Sequence, residues 1–170
     1  HEVFQLEANL DLSSSSSSLC LELSGHHQWN NAGNPSDTLT LSPCKGETSG
    51  PTARDGSGWW HASNRKQDGT CCSTFRVWNT DQCLYGGLAT SVCTLDHGQV
   101  AGLGKEGQLH VSNQCININS DKDMTLEMTS DCSNATKWIK RGVFEPMEYQ
   151  LLDEGMKRQW GEKQFEAEMF

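Results

Sequence analysis

Long apolar runs are missing from this 170-residue sequence. Nothing in it approaches the ~18–20 apolar residues that a membrane-spanning helix needs, so no segment is expected to cross a bilayer in that form. Basic residues are scarce too. Thirteen lysines and arginines face 22 acids, a formal net charge of -9. That balance speaks against nucleic acid as a partner, since binding there rests on cations against phosphate. Catalytic and metal signatures are also absent: there is no Gly-x-Ser-x-Gly, no His-Glu-x-x-His, no phosphate loop and no C-x-x-C pair. Asp121-Lys122-Asp123 reads as solvated charge in a turn, and the adjacent His26 and His27 point apart in an extended chain. These gaps predict a protein that is not an enzyme and that carries neither cofactor nor metal. Zinc at Cys71, Cys72 and His61 is the weak remaining metal option. The sequence opens at His1 with no signal-peptide pattern, as a mature form or a fragment would.

Cysteine, by contrast, is plentiful and even in number, with eight residues. That usage predicts an oxidising compartment, with the protein secreted, luminal or at the cell surface. Short segments alternate apolar and polar residues at period two: Val3-Phe4-Gln5-Leu6, Leu19-Cys20-Leu21-Glu22-Leu23, Thr38-Leu39-Thr40-Leu41, Thr74-Phe75-Arg76-Val77-Trp78 and Gln108-Leu109-His110-Val111. Turn formers fill the gaps, as at Asn30-Asn31-Ala32-Gly33-Asn34-Pro35 and Asp55-Gly56-Ser57-Gly58. The run Ser13 to Ser18 reads as a flexible loop, with phosphorylation or O-glycosylation as its functional alternative. An all-β domain is expected over residues 2–141.

Residues 142–170 differ in texture. Pro146 suits a first helical position, and Leu152, Met156 and Trp160 follow at spacing four, with Phe165 and Met169 beyond. Gly155 and Gly161 weaken the pattern. A C-terminal tail, helical in part or extended, is expected, either folded back on the domain or serving as a linker or docking segment.

The chain repeats itself. Phe75-Arg76-Val77-Trp78-Asn79-Thr80-Asp81-Gln82-Cys83-Leu84 is echoed by Leu109-His110-Val111-Ser112-Asn113-Gln114-Cys115-Ile116, with a looser first copy at Phe4-Gln5-Leu6 and Leu19-Cys20-Leu21. A second strand ending in cysteine follows each: Thr38 to Cys44, Leu88 to Cys93 and Thr125 to Cys132. Tryptophan comes after two of the three, at Trp59-Trp60 and Trp138, while Gly98-Gln99-Val100-Ala101 stands where the middle one would be. One such unit cannot bury its own apolar faces, but three around an axis can, with tryptophans such as Trp60 and Trp138 as core anchors.

Three strand–Cys–strand–Cys–Trp units resemble the ricin-type β-trefoil, over residues 2–141. The resemblance implies a β-trefoil of three pseudo-repeats stapled by disulfides. Repeat logic then favours Cys20 with Cys44, Cys83 with Cys93 and Cys115 with Cys132. The adjacent Cys71 and Cys72 remain open to a vicinal bond, to capture of Cys83 or Cys93, or to a bond with another chain. Asn134-Ala135-Thr136 is a sequon, so Asn134 is a candidate N-glycosylation site.

Ricin-type sugar pockets imply an aspartate two residues after the first cysteine, a ring two residues before the second, and an Asn-Gln pair ahead of the tryptophan. Glu22, Tyr85 and Asn117 stand at the acid position of the three units. Ser42, Ser91 and Ser130 (or Met128) stand for the ring, and no Gln-x-Trp occurs. No unit keeps acid and ring together, so the galactose pocket is expected to be lost. Trp29, in the polar stretch His26-His27-Gln28-Trp29-Asn30-Asn31, is the candidate for a relocated site. The expected role is therefore a non-catalytic, extracellular, lectin-like recognition or assembly module. Its expected partners are another protein or neighbouring domains of a larger surface assembly, with glycan binding as the alternative.

Overall fold

Period-two alternation becomes strand wherever the structure describes it. The computed structural model describes residues 2–10, 18–24, 38–46, 56–63, 73–78, 80–94 and 99–144. The serine run up to Ser17, Trp29, Cys71, Cys72 and the tail beyond Phe144 lie outside the described residues, and so do the expectations attached to them. Twelve strands form among those described: β1 (Val3–Asn9), β2 (Leu19–Ser24), β3 (Thr38–Pro43), β4 (Trp59–Ser63), β5 (Ser73–Val77), β6 (Gln82–Tyr85), β7 (Ala89–Val92), β8 (Ala101–Leu103), β9 (Leu109–Val111), β10 (Gln114–Asn119), β11 (Thr125–Thr129) and β12 (Lys137–Phe144). The fold is all-β, with short 3-10 turns between strands. No helix among the described residues is long and apolar enough to cross a membrane.

Six strands make a nearly closed ring. β12 pairs with β1, β1 meets β4 at Phe4 and Trp59, and β4 pairs with β5. β5 packs on β8 without a ladder, β8 pairs with β9, and one bridge, Gln108 to Lys137, returns to β12. The other six strands form three antiparallel hairpins: β2–β3, β6–β7 and β10–β11. β12 runs to Phe144, opposite Val3, three residues into the stretch read from the sequence as tail.

The hairpins join the ring in one recurring register. Cys20 pairs with Glu7, Cys83 with Arg76 and Cys115 with His110. Trp78 N donates to Gly58 O at 2.9 Å, and Ser112 N donates to Val100 O at 2.6 Å. These pairings set Ala8, Val77 and Val111 in equivalent places, and likewise Trp138, Trp59 and Ala101. The first copy of the apolar-x-Val pattern is therefore Leu6-Glu7-Ala8, two residues later than the alternation of Phe4-Gln5-Leu6 suggests. Alanine at position 8 carries little strand signal, and the buried Phe4 draws the eye instead.

Equivalent positions supply the core. Leu6, Phe75 and Leu109 are wholly buried, as are Leu21, Leu84 and Ile116, each directly after its unit's first cysteine. Trp59 Nε1 donates to Leu21 O at 3.0 Å, and Trp138 Nε1 donates to Ile116 O at 3.3 Å. Each indole thus fills the core and satisfies a buried carbonyl of its own hairpin, as a buried tryptophan requires. Ala101 takes that place in the middle unit. Trp60 is buried as expected, in a satellite cluster with Val3 and Trp78.

Three disulfides close the hairpins: Cys20–Cys44, Cys83–Cys93 and Cys115–Cys132, the pairings that the repeat favours. A buried amide reinforces the first: Gln5 Nε2 donates to Lys45 O at 3.1 Å while Lys45 N donates to Gln5 Oε1 at 2.7 Å. Gly56 is required by close approach. Its φ is +73°, Leu23 N donates to its carbonyl at 3.0 Å, and a Cβ there would stand 2.0 Å from Leu23 O.

Candidate functional site

Antiparallel pairing puts a defined partner opposite each residue at the acid position. Glu22 faces Thr40, Tyr85 faces Ala89, and Asn117 faces Glu127. These three lie on three separate hairpins, so the structure does not gather them into one site. Opposite the first cysteines stand Ser42, Ser91 and Thr129. In the third unit the residue matching Ser42 and Ser91 is thus Thr129, because the chain takes one more residue to reach Cys132. None of the three carries a ring.

The richest chemistry collects on the third hairpin. Asn117 Nδ2 donates to Glu127 Oε1 at 2.9 Å, and Asn119 Nδ2 donates to Glu127 Oε2 at 3.2 Å. Asn117 Oδ1 accepts from Thr136 N at 2.8 Å and from Thr136 Oγ at 3.0 Å, and Thr136 Oγ accepts from Ile118 N at 2.9 Å. Asn119 Oδ1 accepts from Asp121 N at 3.0 Å, capping the 3-10 turn Ser120–Lys122. Alternation along β10 explains the set: Ile116 and Ile118 point into the core, so Asn117 and Asn119 share the outer face. The same holds on β11, where Glu127 lies directly across the ladder from Asn117.

These side chains line an open polar depression of about 500 Å³, and Asn134 and Thr136 line it too. Its volume falls within the ~300–1,000 Å³ of small-molecule sites. The two amide bonds, from Asn117 first and then Asn119, hold the Glu127 carboxyl below the usual glutamate range, and the nearby Lys122 adds to this. Each asparagine spends one N–H on Glu127, leaving a second for a ligand. The depression can thus offer amide donors and an ionised acceptor to hydroxyl groups. None of the described residues that line it is aromatic.

Elsewhere the expected site residues fare differently. Glu22 is half-buried on β2, its carbonyl near Thr40 Oγ. Tyr85 is 44% exposed at the end of β6. Asn134 is exposed, at the end of the 3-10 turn Cys132–Asn134, and its Nδ2 donates to Asp131 Oδ2 at 2.8 Å. Gln99 sits two residues before Ala101, as Thr136 does before Trp138, and is nearly fully buried. It donates to Ser91 Oγ and Val92 O and accepts from Thr94 N. Glutamine thus stands at position 99 where the third unit has Thr136, and alanine at 101 where it has Trp138.

Among the described residues one cluster has metal-ligand composition: His110, Cys115 and Cys132. Both sulfurs are joined in the Cys115–Cys132 disulfide and offer no thiolate. His61, the histidine of the weak zinc option, instead takes part in an aromatic and cationic group. Its ring lies 5.5 Å from Phe4 and 4.9 Å from Phe75, with Lys140 Nζ 2.7 Å from Nε2. Desolvation and the Lys140 charge hold the imidazole below the ordinary histidine range.

Glu127, Asn119 and Thr136 were not candidates from sequence. The available signal was a carboxylate ten residues beyond Asn117 in a strand–turn–strand pattern, but it points to Glu127 only once the hairpin register is known. A scan against models of known protein families finds no match to this chain, and a search of characterised proteins finds no significant one.

Proposed function

We propose that this chain is a non-catalytic, lectin-like recognition and assembly module of the ricin-type β-trefoil class, acting outside the cytosol as part of a larger surface protein or complex. Several observations support the trefoil: the six-strand ring, the three hairpins joined to it in one register, and the equivalent core triads. The three disulfides support an oxidising, secreted or cell-surface setting.

One observation carries the functional half. The three equivalent outer faces keep the scaffold but hold three unrelated pairs, Glu22/Thr40, Tyr85/Ala89 and Asn117/Glu127, and none includes an acid beside a stacking ring. A scaffold free of one repeated ligand is open to protein contacts. The exposed Tyr85, Val92, Ile139 and Val143 supply the apolar contact area that such interfaces use. The test is purification of the native protein in mild detergent-free buffer. A stoichiometric partner is the expected result, and a clean monomer from its native source counts against assembly.

A weakened sugar site is the second reading, favoured by the polar depression around Asn117. A high-valency glycan array decides between the two. Reproducible binding lost in Glu127→Gln would establish the lectin, and a blank array supports assembly.

A further inference from the structure

The depression on the third hairpin and the sequon Asn134-Ala135-Thr136 are the same place. Asn134 forms part of its wall, and the sequon's Thr136 is the residue whose backbone N–H and hydroxyl both bond to Asn117 Oδ1. We propose that Asn134 carries an N-linked glycan and that the innermost N-acetylglucosamine of this glycan lies in the depression, against Asn117, Asn119 and Glu127. The site then serves the chain's own sugar rather than a free one.

The local chemistry suits both halves of the proposal. Asn134 is exposed, so a bulky substituent meets solvent and the open depression rather than core. Its amide has two N–H groups, of which one is held by Asp131 Oδ2 at 2.8 Å. In the transfer, the C1–N bond to Nδ2 forms and the C1–O bond to a lipid diphosphate carrier breaks. Nδ2 gives up one proton, and the lipid diphosphate leaves. The secretory pathway's transferase and its lipid-linked oligosaccharide supply the reaction. One N–H remains on Nδ2 after the transfer and can donate to Asp131, which Ser133 Oγ also braces at 2.8 Å.

Without a ring to stack on, the depression offers only hydroxyl-directed hydrogen bonds, a weak hold on a sugar that must be drawn from solution. A tethered sugar has no such handicap. A short link sets an effective concentration in about the millimolar range, which favours occupancy of a weak site over capture of a dilute free monosaccharide. The spare N–H groups of Asn117 and Asn119 and the ionised Glu127 are the groups that would meet its hydroxyls.

The inference rests on the extracytoplasmic part of the proposed function, and its test separates the two. The full chain is expressed in a eukaryotic secretory line, and the glycopeptide spanning Asn134 is read by mass spectrometry from both medium and microsomes. An endoglycosidase then trims the glycan to one N-acetylglucosamine, and nuclear magnetic resonance follows the side-chain amides. Occupancy of Asn134 is expected, with the Asn117 and Asn119 side-chain signals shifted relative to Asn134→Gln. In Glu127→Ala, occupancy should persist and those shifts should shrink severalfold. A disulfide-bonded chain with a bare Asn134 overturns the inference while leaving the proposed function intact. A glycan whose presence leaves both amide signals unmoved overturns the seating, since the sugar then points into solvent. Free thiols throughout the secreted chain would instead overturn the oxidising-compartment reading itself.

Discussion

The hairpins β6–β7 and β10–β11 are built alike on the inside and differently on the outside. Both bury the residue after their first cysteine, Leu84 and Ile116, and both are closed by a disulfide. Outside, one shows Tyr85 opposite Ala89 with no side-chain bond between them, and the other shows Asn117 opposite Glu127 within a network that reaches Thr136. The inner face is constrained by packing against two other units, so size and apolarity are dictated there. Solvent imposes no such demand outside, and each hairpin can carry its own chemistry. The difference extends to the closing strand, where Trp138 anchors the third unit and Ala101 stands in the second.

That last contrast gives the largest expected effect. Trp138→Ala should destabilise the domain by about 3–5 kcal/mol, the usual range for deleting a large buried ring, and it also strands Ile116 O. Ala101→Gly, at the equivalent place, should cost only about 1 kcal/mol. Chemical denaturation of the two variants measures the difference, and equal losses would show that the two positions are not equivalent.

Next come the staples. In the chain-entropy treatment, removing Cys20–Cys44, with its separation of 24, costs about 3.5 kcal/mol, and removing Cys83–Cys93, with its separation of 10, about 2.7 kcal/mol. Paired Cys→Ala variants followed by thermal melts should rank in that order. A reversed ranking would mean that native strain, not loop length, sets their worth.

A smaller effect separates the outer faces. Asn117→Ala removes the acceptor for Thr136 N and Oγ and should cost about 1–2 kcal/mol. Tyr85→Ala touches an exposed ring and should stay within about 0.5 kcal/mol. Urea titration of both variants checks this.

The smallest effect is the pH dependence that Glu127 gives the third unit. Glu127 titrates lower folded than unfolded, because Asn117 and Asn119 bond to its charged form. Its stabilising contribution is therefore complete above the ordinary glutamate pKa of about 4.3 and is lost as pH falls through the lower folded value. Glu127→Gln should flatten the acid limb of the melting-temperature profile slightly, and Ala89→Gln on the second hairpin should leave it unchanged.

Much of the frame was legible beforehand because it is written in features local to the chain. Six of the eight cysteines recur with the short alternating segments, so the three intra-unit pairings followed from the repeat, and Trp60 and Trp138 were recognisable as core. The outer chemistry was not legible, because it depends on register. Asn117 stood out from its distance to Cys115, but Glu127 becomes its partner only through the β10–β11 ladder. The extra residue before Cys132 moved the position matching Ser42 from Ser130 to Thr129, and a small residue at Ala8 hid the first copy of the repeat. A slip of one residue exchanges inside for outside in a strand, so sequence spacing alone cannot assign outer faces.

The pairing of β1 with β12 has a consequence for architecture. Val3 lies beside Phe144, so the described domain is entered and left at a single point on its surface. A body with neighbouring ends can be spliced into a loop of another polypeptide without prising that host apart. By the same geometry its ends can be sewn together and reopened at the turn between Tyr85 and Ala89, to give a circularly permuted chain with the same strand pairings.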